Sequence, residues 1–422
     1  MSKRWAFFSY AHNLGDFTRA FEVAKALKHT GDQVSFFNHG GFHLDWLEKQ
    51  HIPFFNLKPE ISSHQNEIVM AINQFRLPPG TPLPFSFDEL KAMVEADLES
   101  MESYKPDAAY CGLNISSMIS VPYIKLPMVT QVPTTLCPAF YKHNLATFPN
   151  TMEKSFFVRY LLPDIIKRRF FNAVMLKDVI KKTARTFNQV RRHFGLPPVY
   201  NMIDFVKGDL VLLPDMEELS GLPESEIKKP YVYTGPVFAR FDEVPIPKEV
   251  KDVFNQSGLN VFLSLGSSGD ALVYKKLVAI LRKNTGVNLV CTTTTILNPK
   301  ELGENNAKFY ATDFLPAHKV NELADIAVIH GGQGTIQTAA WSGTPFLGIG
   351  FQSEQQQNID GLVRAGMAKR IKFYNLSEKR LWKAIRYLQS EEAKENAKRI
   401  KSIVRSTNGL EKSVQLMRDL IK

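Results

Sequence analysis

The amino-acid sequence predicts an α/β protein made of two Rossmann-like domains that face each other across a cleft. Short apolar runs recur along the 422 residues, and segments of helical period lie between them. The alternation stops at a polar, proline-bearing stretch near the middle and then restarts. Strand–helix–strand alternation requires crossover connections, which give parallel sheets covered by helices. A chain of this length also suits two domains better than one core.

The first series of apolar runs predicts the strands of an N-terminal domain. Each run is apolar on both faces, as in a strand buried between layers of helices. The helix after the first run is predicted by the spacing of Phe17, Phe21, Ala24 and Leu27, which fall on one face at helical period. The predicted strands are residues 5–10, 33–37, 107–111, 128–132 and 209–213.

A second series of runs predicts a C-terminal domain with its own sheet. A strand ends at Tyr233, and the segment after it carries Pro245 and Pro247 without a strong period. We therefore expect an N-terminal domain over 1–240, a linker over 241–258 and a second domain over 259–400. Residues 401–422 are predicted to form a C-terminal helix that is able to pack back on the first domain. The strands of the second series are residues 260–265, 288–293, 308–312, 326–330 and 345–349.

The composition narrows the class of protein. With 44% hydrophobic and 22% charged residues the chain is typical of soluble globular proteins, and no apolar run approaches the ~20 residues that span a bilayer. Its three cysteines are widely spaced and form no CxxC motif, which fits a reducing cytoplasm and argues against a disulfide scaffold or a zinc site. The net charge of +10 favours anionic partners without naming one.

The stretch 151–194 is rich in both basic and aromatic residues. Three interpretations stay open. The stretch could form an amphipathic helix pair that buries its aromatic side chains, a peripheral contact with an anionic membrane, or a binding surface for a nucleic-acid backbone. The first is the most common use of such a pattern. No nucleic-acid reader motif occurs in the chain, so we expect no nucleic-acid partner.

A glycine-rich turn follows the predicted strand 326–330. Strand, glycine turn and helix together point backbone N–H groups at an anion, and Gly332 and Gly334 allow a phosphate to approach the backbone closely. His330 and Thr335 offer side-chain donors. No lysine follows the glycines, so the turn is not a P-loop. Such a turn is structural about as often as it binds a ligand.

Further polar residues follow the next predicted strand. Glu354 and Gln355 combine acceptors with donors, which suits sugar hydroxyl groups. A phosphate cradle beside a hydroxyl-reading pair predicts a sugar phosphate or a nucleotide sugar as ligand. Asp215 and Glu217 form a DxE pattern after an earlier strand, which we interpret as a solvated loop and not as a metal site.

The segments 330–345 and 351–358 resemble the donor-binding signature of GT-B glycosyltransferases of family 1, and they are closest to the bacterial antibiotic-type and sterol-type members. The segment 263–268 is similar to the family's Gly-Ser phosphate loop, which assigns donor binding to Ser267. The segment 313–316 is similar to the part that meets the nucleobase, which assigns Phe314 and Leu315. Thr338 stands where plant members carry a ribose-binding Glu.

The segment 13–19 resembles the family's turn that holds the catalytic base. That position is occupied by Asp16, and His12 is a second candidate four residues earlier. Helix capping alone is a competing explanation for Asp16, because Asp is a preferred N-cap residue. A single histidine is likewise more often structural than catalytic.

The resemblance implies an inverting, metal-independent transfer of a hexose from a UDP- or dTDP-sugar to a hydroxyl group of an apolar small-molecule or lipid acceptor. It implies no metal and no cofactor, since the nucleotide sugar is a co-substrate. The aromatic segments 136–148 and 151–171 are the expected acceptor lining. Two alternatives remain: a nucleotide-sugar epimerase of the same fold, and a catalytically inactive sugar-nucleotide-binding protein.

Overall fold

The computed structural model describes residues 2–41, 44–294 and 296–422, with the side chain of Ser267 left out. It contains two fully parallel sheets. The first has seven strands in the order β3-β2-β1-β4-β5-β6-β7, and the second has six in the order β10-β9-β8-β11-β12-β13. The strands are β1 Arg4–Phe8, β2 Gln33–Asn38, β3 Phe54–Asn56, β4 Ala108–Cys111, β5 Met128–Gln131, β6 Leu210–Leu213, β7 Tyr231–Tyr233, β8 Leu259–Ser264, β9 Val287–Thr292, β10 Phe309–Thr312, β11 Ile326–Ile329, β12 Phe346–Gly348 and β13 Ala368–Arg370.

Helices cover both faces of each sheet, which confirms the predicted α/β class. All ten predicted strands are present to within two residues at each end. The edge strands β3 and β13 were not predicted, because three residues carry too little apolar pattern to stand out. The helices of the first half are α1 Leu14–His29, α2 Asp45–Lys49, α3 Ser63–Asn73, α4 Phe87–Tyr104, α5 Ser117–Tyr123, α6 Pro138–Lys142, α7 Asp164–Met175, α8 Arg185–His193, α9 Met202–Phe205 and α10 Glu217–Ser220.

The first sheet is buried between α1 and α4. Trp5 and Phe7 of β1 pack with Phe17 of α1 on one face, while Phe8 packs with Leu90 of α4 on the other. The second sheet is covered in the same way. Its half of the chain contains the helices α11 Lys248–Phe254, α12 Ala271–Arg282, α13 Ala317–Leu323, α14 Gln333–Ser342, α15 Ser353–Arg364, α16 Glu378–Leu388, α17 Glu391–Arg405 and α18 Gly409–Leu420.

Two details differ from the predicted domain plan. Seven of the eighteen residues of the expected linker form helix α11, whose Val250 and Phe254 pack with Phe262 of β8, so these residues are part of the second core. The predicted C-terminal helix is two helices, α17 and α18. The first packs with α14, and the second returns to the first domain, where Val414 and Met417 join the core beside α1. No helix within the described parts of the chain is both long enough and apolar enough to cross a membrane.

The two halves contact each other near the carboxyl ends of their strands. Gln333 at the start of α14 donates through Nε2 to the carbonyl oxygen of Pro214, which follows β6 (3.2 Å), and Gln337 donates to the same oxygen at 2.5 Å. Gln356 of α15 accepts from the backbone N–H of Asn150 (3.2 Å). The same edge of each sheet therefore borders the domain boundary.

Candidate active site

Strand order reverses once in each sheet. The reversal lies between β1 and β4 in the first sheet and between β8 and β11 in the second. In open parallel sheets, ligands bind beyond the carboxyl ends of the strands at this point. The four loops after these strands, together with the first turns of the helices that follow them, contain seven of the eleven site residues singled out from the sequence.

Asp16 lies in the first turn of α1 at the reversal point of the first sheet. It is 2% exposed, and its carboxylate accepts from the backbone N–H of Tyr10 (2.8 Å) and of Leu113 (3.4 Å). Burial raises the pKa of Asp16, while the nearby Arg19 guanidinium and the two N–H groups oppose the rise. The helix cap is not Asp16 but Asn13, whose side chain accepts from the N–H groups of Gly15 and Asp16. Asp16 thus joins the ends of β1 and β4.

Gly112 leaves the space that this carboxylate fills, since a Cβ there would lie 2.2 Å from Oδ2 of Asp16. His12 lies half-buried on the same turn, with its ring 5.5 Å from that of Tyr10. Burial lowers the pKa of His12, and a hydrogen bond with the backbone of His39 and the Glu60 carboxylate oppose the shift. The ring is therefore predominantly neutral at pH 7 and is able to accept a proton.

His330 lies at the reversal point of the second sheet, directly after β11. It is 7% exposed, and burial lowers the pKa of its imidazole to about 4, so the ring is neutral at physiological pH. Two glycines enclose it. A Cβ on Gly266, which has φ +59°, would lie 2.3 Å from Cε1 of His330, and a Cβ on Gly332 would lie 2.5 Å from Nε2. These glycines are required by the position of the ring.

Helix α14 begins immediately after Gly332, which is its N-cap. Gly334 differs from Gly266 and Gly332, because a Cβ there would meet no atom within 4 Å. The first turn of α14 therefore has open space beside Gly334, next to the helix start at which an anion is expected to bind. The Thr335 hydroxyl donates to the carbonyl oxygen of Gly332 (2.8 Å), so it is not a free donor as the sequence suggested. The predicted role of Ser267 falls on a side chain outside the described residues.

The pair Glu354 and Gln355 has two different environments. Gln355 is buried and caps its own helix, since its Oε1 accepts from the N–H groups of Phe351 (2.9 Å) and Gln352 (3.2 Å). Its Nε2 donates to Oγ of Ser268 (2.8 Å). Gln355 thus joins α15 to the loop after β8. Glu354 is only half-buried and keeps its carboxylate near the cleft.

Phe314 and Leu315 also lie in different environments. The Phe314 ring is 49% exposed and meets Phe241 edge-on at 5.1 Å, so one face is available for stacking. The side chain of Leu315 is buried in the core beside α11, so only its backbone is able to meet a ligand.

Asp215 is a candidate that the sequence interpretation missed. It lies two residues after the end of β6 and is 5% exposed, which corrects the prediction of a solvated loop. Its carboxylate accepts from the hydroxyl of Thr134 (2.9 Å) and from the N–H of Met216 (2.9 Å). Burial raises its pKa to about 7, and the Glu354 carboxylate adds to the rise. The position just after an apolar strand was the available signal.

Comparisons with known proteins agree with this geometry. Residues 281–416 match the family model described as glycosyltransferase family 28 C-terminal domain. A PGL/p-HBAD biosynthesis rhamnosyltransferase of Mycobacterium bovis BCG is 23% identical over 311 residues, which is 71% of this chain and 64% of that protein. The alignment thus spans less than two thirds of that relative's length. A UDP-glucuronosyltransferase 2B1 of Rattus norvegicus is 29% identical over 165 residues, covering 38% of this chain and 31% of that protein.

Solved structures share the whole architecture. The glycosyltransferase of kitacinnamycin superposes with a TM-score of 0.72 at 16% identity and covers 100% of both chains. The glycosyltransferase VinC, solved with dTDP, superposes with a TM-score of 0.67 at 15% identity and covers 99% of both chains. The fold is therefore that of GT-B glycosyltransferases.

Proposed function

We propose that the protein is an inverting, metal-independent glycosyltransferase that moves a hexose from a UDP- or dTDP-sugar to a hydroxyl group of an apolar small molecule or lipid. One observation carries the proposal. A helix start with a glycine N-cap and a neutral histidine follows the second sheet at its reversal point, and a turn with a histidine and a carboxylate follows the first sheet at its own. The two edges meet at the domain boundary.

The donor diphosphate would bind at the start of α14. The backbone N–H groups after Gly332 and the positive end of the helix stabilise the negative charge that grows on the leaving group. Open space at Gly334 would admit the phosphate, and the neutral ring of His330, which is hydrogen-bonded to the backbone of Ser264, would lie beside it without carrying a charge. These groups would supply the stabilisation that a metal ion gives in other transferases.

The rest of the donor would lie between Phe314 and Glu354. The exposed face of Phe314 stacks on the base, and the half-buried carboxylate of Glu354 accepts from sugar hydroxyls. The dTDP in the VinC structure is a property of that protein, and it motivates the inclusion of a thymidine nucleotide in the test. Gln355 would act indirectly, by fixing the loop at Ser268.

The acceptor proton would pass to the turn between Tyr10 and Asp16. Both oxygens of Asp16 already accept backbone hydrogen bonds, whereas the His12 ring is half-buried and predominantly neutral. We therefore assign proton acceptance to His12 and positioning of the turn to Asp16, which the family resemblance places at the base position. General base catalysis of this kind contributes about 10²–10⁴ in rate.

Membership of family 1, an apolar or lipid acceptor and contact of residues 151–194 with a membrane belong to the same proposal. The aromatic residues of that stretch support an apolar acceptor. The names of the mycobacterial relatives refer to the biosynthesis of PGL and p-HBAD, which describes those proteins.

The first test is thermal stabilisation by UDP, dTDP, GDP and ADP, with and without a chelator. We expect a shift with UDP or dTDP that the chelator leaves unchanged. A shift that requires magnesium would overturn the metal-free mechanism, and no shift with any nucleotide would overturn the donor site. Incubation with the matching nucleotide sugar alone then separates the classes of activity, because an epimerase changes the sugar without an acceptor and a binding protein leaves it intact.

A further inference from the structure

Bulky apolar side chains are exposed along one segment of the N-terminal domain. The segment runs from Phe156, just before the π-helical turn Phe157–Leu161, to Leu176, just after α7. More than half of the exposed bulky apolar residues in the described chain belong to it, with Phe156 70% and Phe170 61% exposed. This corrects the interpretation that the stretch buries its aromatic residues. We call the set the apolar patch: Phe156, Phe157, Tyr160, Leu161, Ile165, Ile166, Phe170 and Leu176.

The opposite face of α7 is already packed, so the patch has no room to turn inward. Phe171 is buried, with ring contacts to Phe148 (6.0 Å) and Tyr141 (6.5 Å). Asn172 donates to the carbonyl oxygen of Ala146 (2.7 Å) and accepts from the N–H of the same residue (3.2 Å). The helix is therefore fixed with its apolar patch facing the solvent.

The charges around the patch are mostly basic. Exposed acidic residues between 154 and 182 are Asp164, which is paired with Lys167 (2.6 Å), and Asp178. The exposed basic residues of the same stretch are Lys154, Arg168, Arg169, Lys177, Lys181 and Lys182. Apolar and aromatic side chains that alternate with Lys and Arg are the composition of segments that lie in the interface of an anionic membrane.

The charge pattern favours a lipid bilayer over a second copy of this chain as the partner of the apolar patch. A second copy of this chain that packed its own patch against this one would bring two mostly basic surroundings together, and like charges that face each other are unfavourable. An anionic bilayer accepts the aromatic rings at the depth of its headgroups and pairs the surrounding cations with lipid phosphates. Long basic side chains are also able to keep their stems on apolar surface while their charges reach those phosphates.

We propose that the apolar patch docks on the surface of an anionic lipid bilayer. This inference rests on the proposed function in one respect: docking would hold the protein where an apolar acceptor resides. The patch is also joined to the domain boundary, because Glu153 at its start bonds to Lys372 of the second domain (3.0 Å).

Vesicle flotation tests the proposal with the full-length protein. Vesicles of phosphatidylcholine alone are compared with vesicles that also contain phosphatidylglycerol. We expect binding to the second kind, weakened by salt. We expect Phe156→Ser/Phe170→Ser and Arg168→Glu/Arg169→Glu to reduce that binding by roughly tenfold or more. Matched controls are Leu272→Ser, which removes an apolar residue that is 79% exposed elsewhere, and Lys383→Glu/Lys398→Glu.

Three results would overturn the proposal. The first is failure of the wild type to bind either kind of vesicle, and the second is equal binding by the patch and control variants. The third is a wild-type dimer in solution that the patch variants abolish, while neither the wild type nor the patch variants bind vesicles. Melting temperatures of the variants verify that they fold. Nucleotide-induced stabilisation, measured on the same samples, keeps the two proposals apart. If the wild type binds no nucleotide, the proposed donor site is wrong, but the proposal of vesicle docking is unaffected.

Discussion

The α-carbon of Gly266 faces the imidazole of His330, and a methyl group there would lie 2.3 Å from Cε1 of the ring. The φ of +59° at Gly266 adds a second penalty, because residues with a Cβ rarely adopt it. We therefore expect Gly266→Ala to lower the stability by at least about 1–3 kcal/mol and to weaken nucleotide binding together with it. Chemical denaturation and nucleotide titration check both effects.

Gly334→Ala should separate these two effects. A Cβ there meets no protein atom, and alanine favours a helical turn by roughly 0.5–1 kcal/mol over glycine, so the nucleotide-free protein should melt at the same or a higher temperature. If phosphate occupies that space, nucleotide affinity should fall by about tenfold or more. Titration of the variant with UDP or dTDP is the measurement, and undiminished affinity would place the phosphate elsewhere.

The two residues of the N-terminal turn should respond differently to mutation. His12→Gln should keep its stability and donor affinity and lose transfer by about 10²-fold or more. Asp16→Asn presents an NH₂ group to one of the N–H donors that Asp16 now satisfies, so it should cost about 1–3 kcal/mol in stability besides any loss of activity. An active His12→Gln beside a stable, inactive Asp16→Asn would assign the base to Asp16.

Asp215 should make stability depend on pH. Because its pKa is raised from 3.8 to about 7 in the folded protein, folding takes up a proton between these values. The contribution of Asp215 is therefore greatest below pH 4 and is lost as the pH rises to about 7, at about 1.4 kcal/mol for each pKa unit. Asp215→Asn stays neutral, so the variant should gain stability relative to wild type over this range. Melting temperatures at pH 4 to 8 check this, and parallel curves would contradict it.

Glu153 holds a buried ion cluster between the domains. It is 1% exposed and pairs with Lys167, Lys372 and the hydroxyl of Tyr374. Glu153→Gln would leave the buried Lys167 without its closest counter-charge, so we expect a loss of about 3–5 kcal/mol by chemical denaturation. Glu391→Gln is the matched control: it breaks an exposed pair with Lys394 (3.0 Å) and should cost less than about 1 kcal/mol.

The sequence was sufficient to predict most of the sheet architecture. Runs that are apolar on both faces belong to strands covered on both sides, and all ten such runs became strands. The short edge strands β3 and β13 escaped because pairing with a neighbour, and not their own pattern, makes them strands. Similarly, α18 could not be assigned to a domain from its sequence, since its apolar face fits any core with a matching groove.

Local sequence also located the glycine turn at 330–334, because a strand, glycines and a helix start are contiguous in the chain. Only the tertiary structure decided what each polar side chain does there. It turned Gln355 back onto its own helix and placed Leu315 in the core. It also buried Asp215 at the domain boundary and left Phe156 and Phe170 exposed. Burial and hydrogen bonding depend on which segments the sheets bring together, and those partners lie tens to hundreds of residues away in the chain.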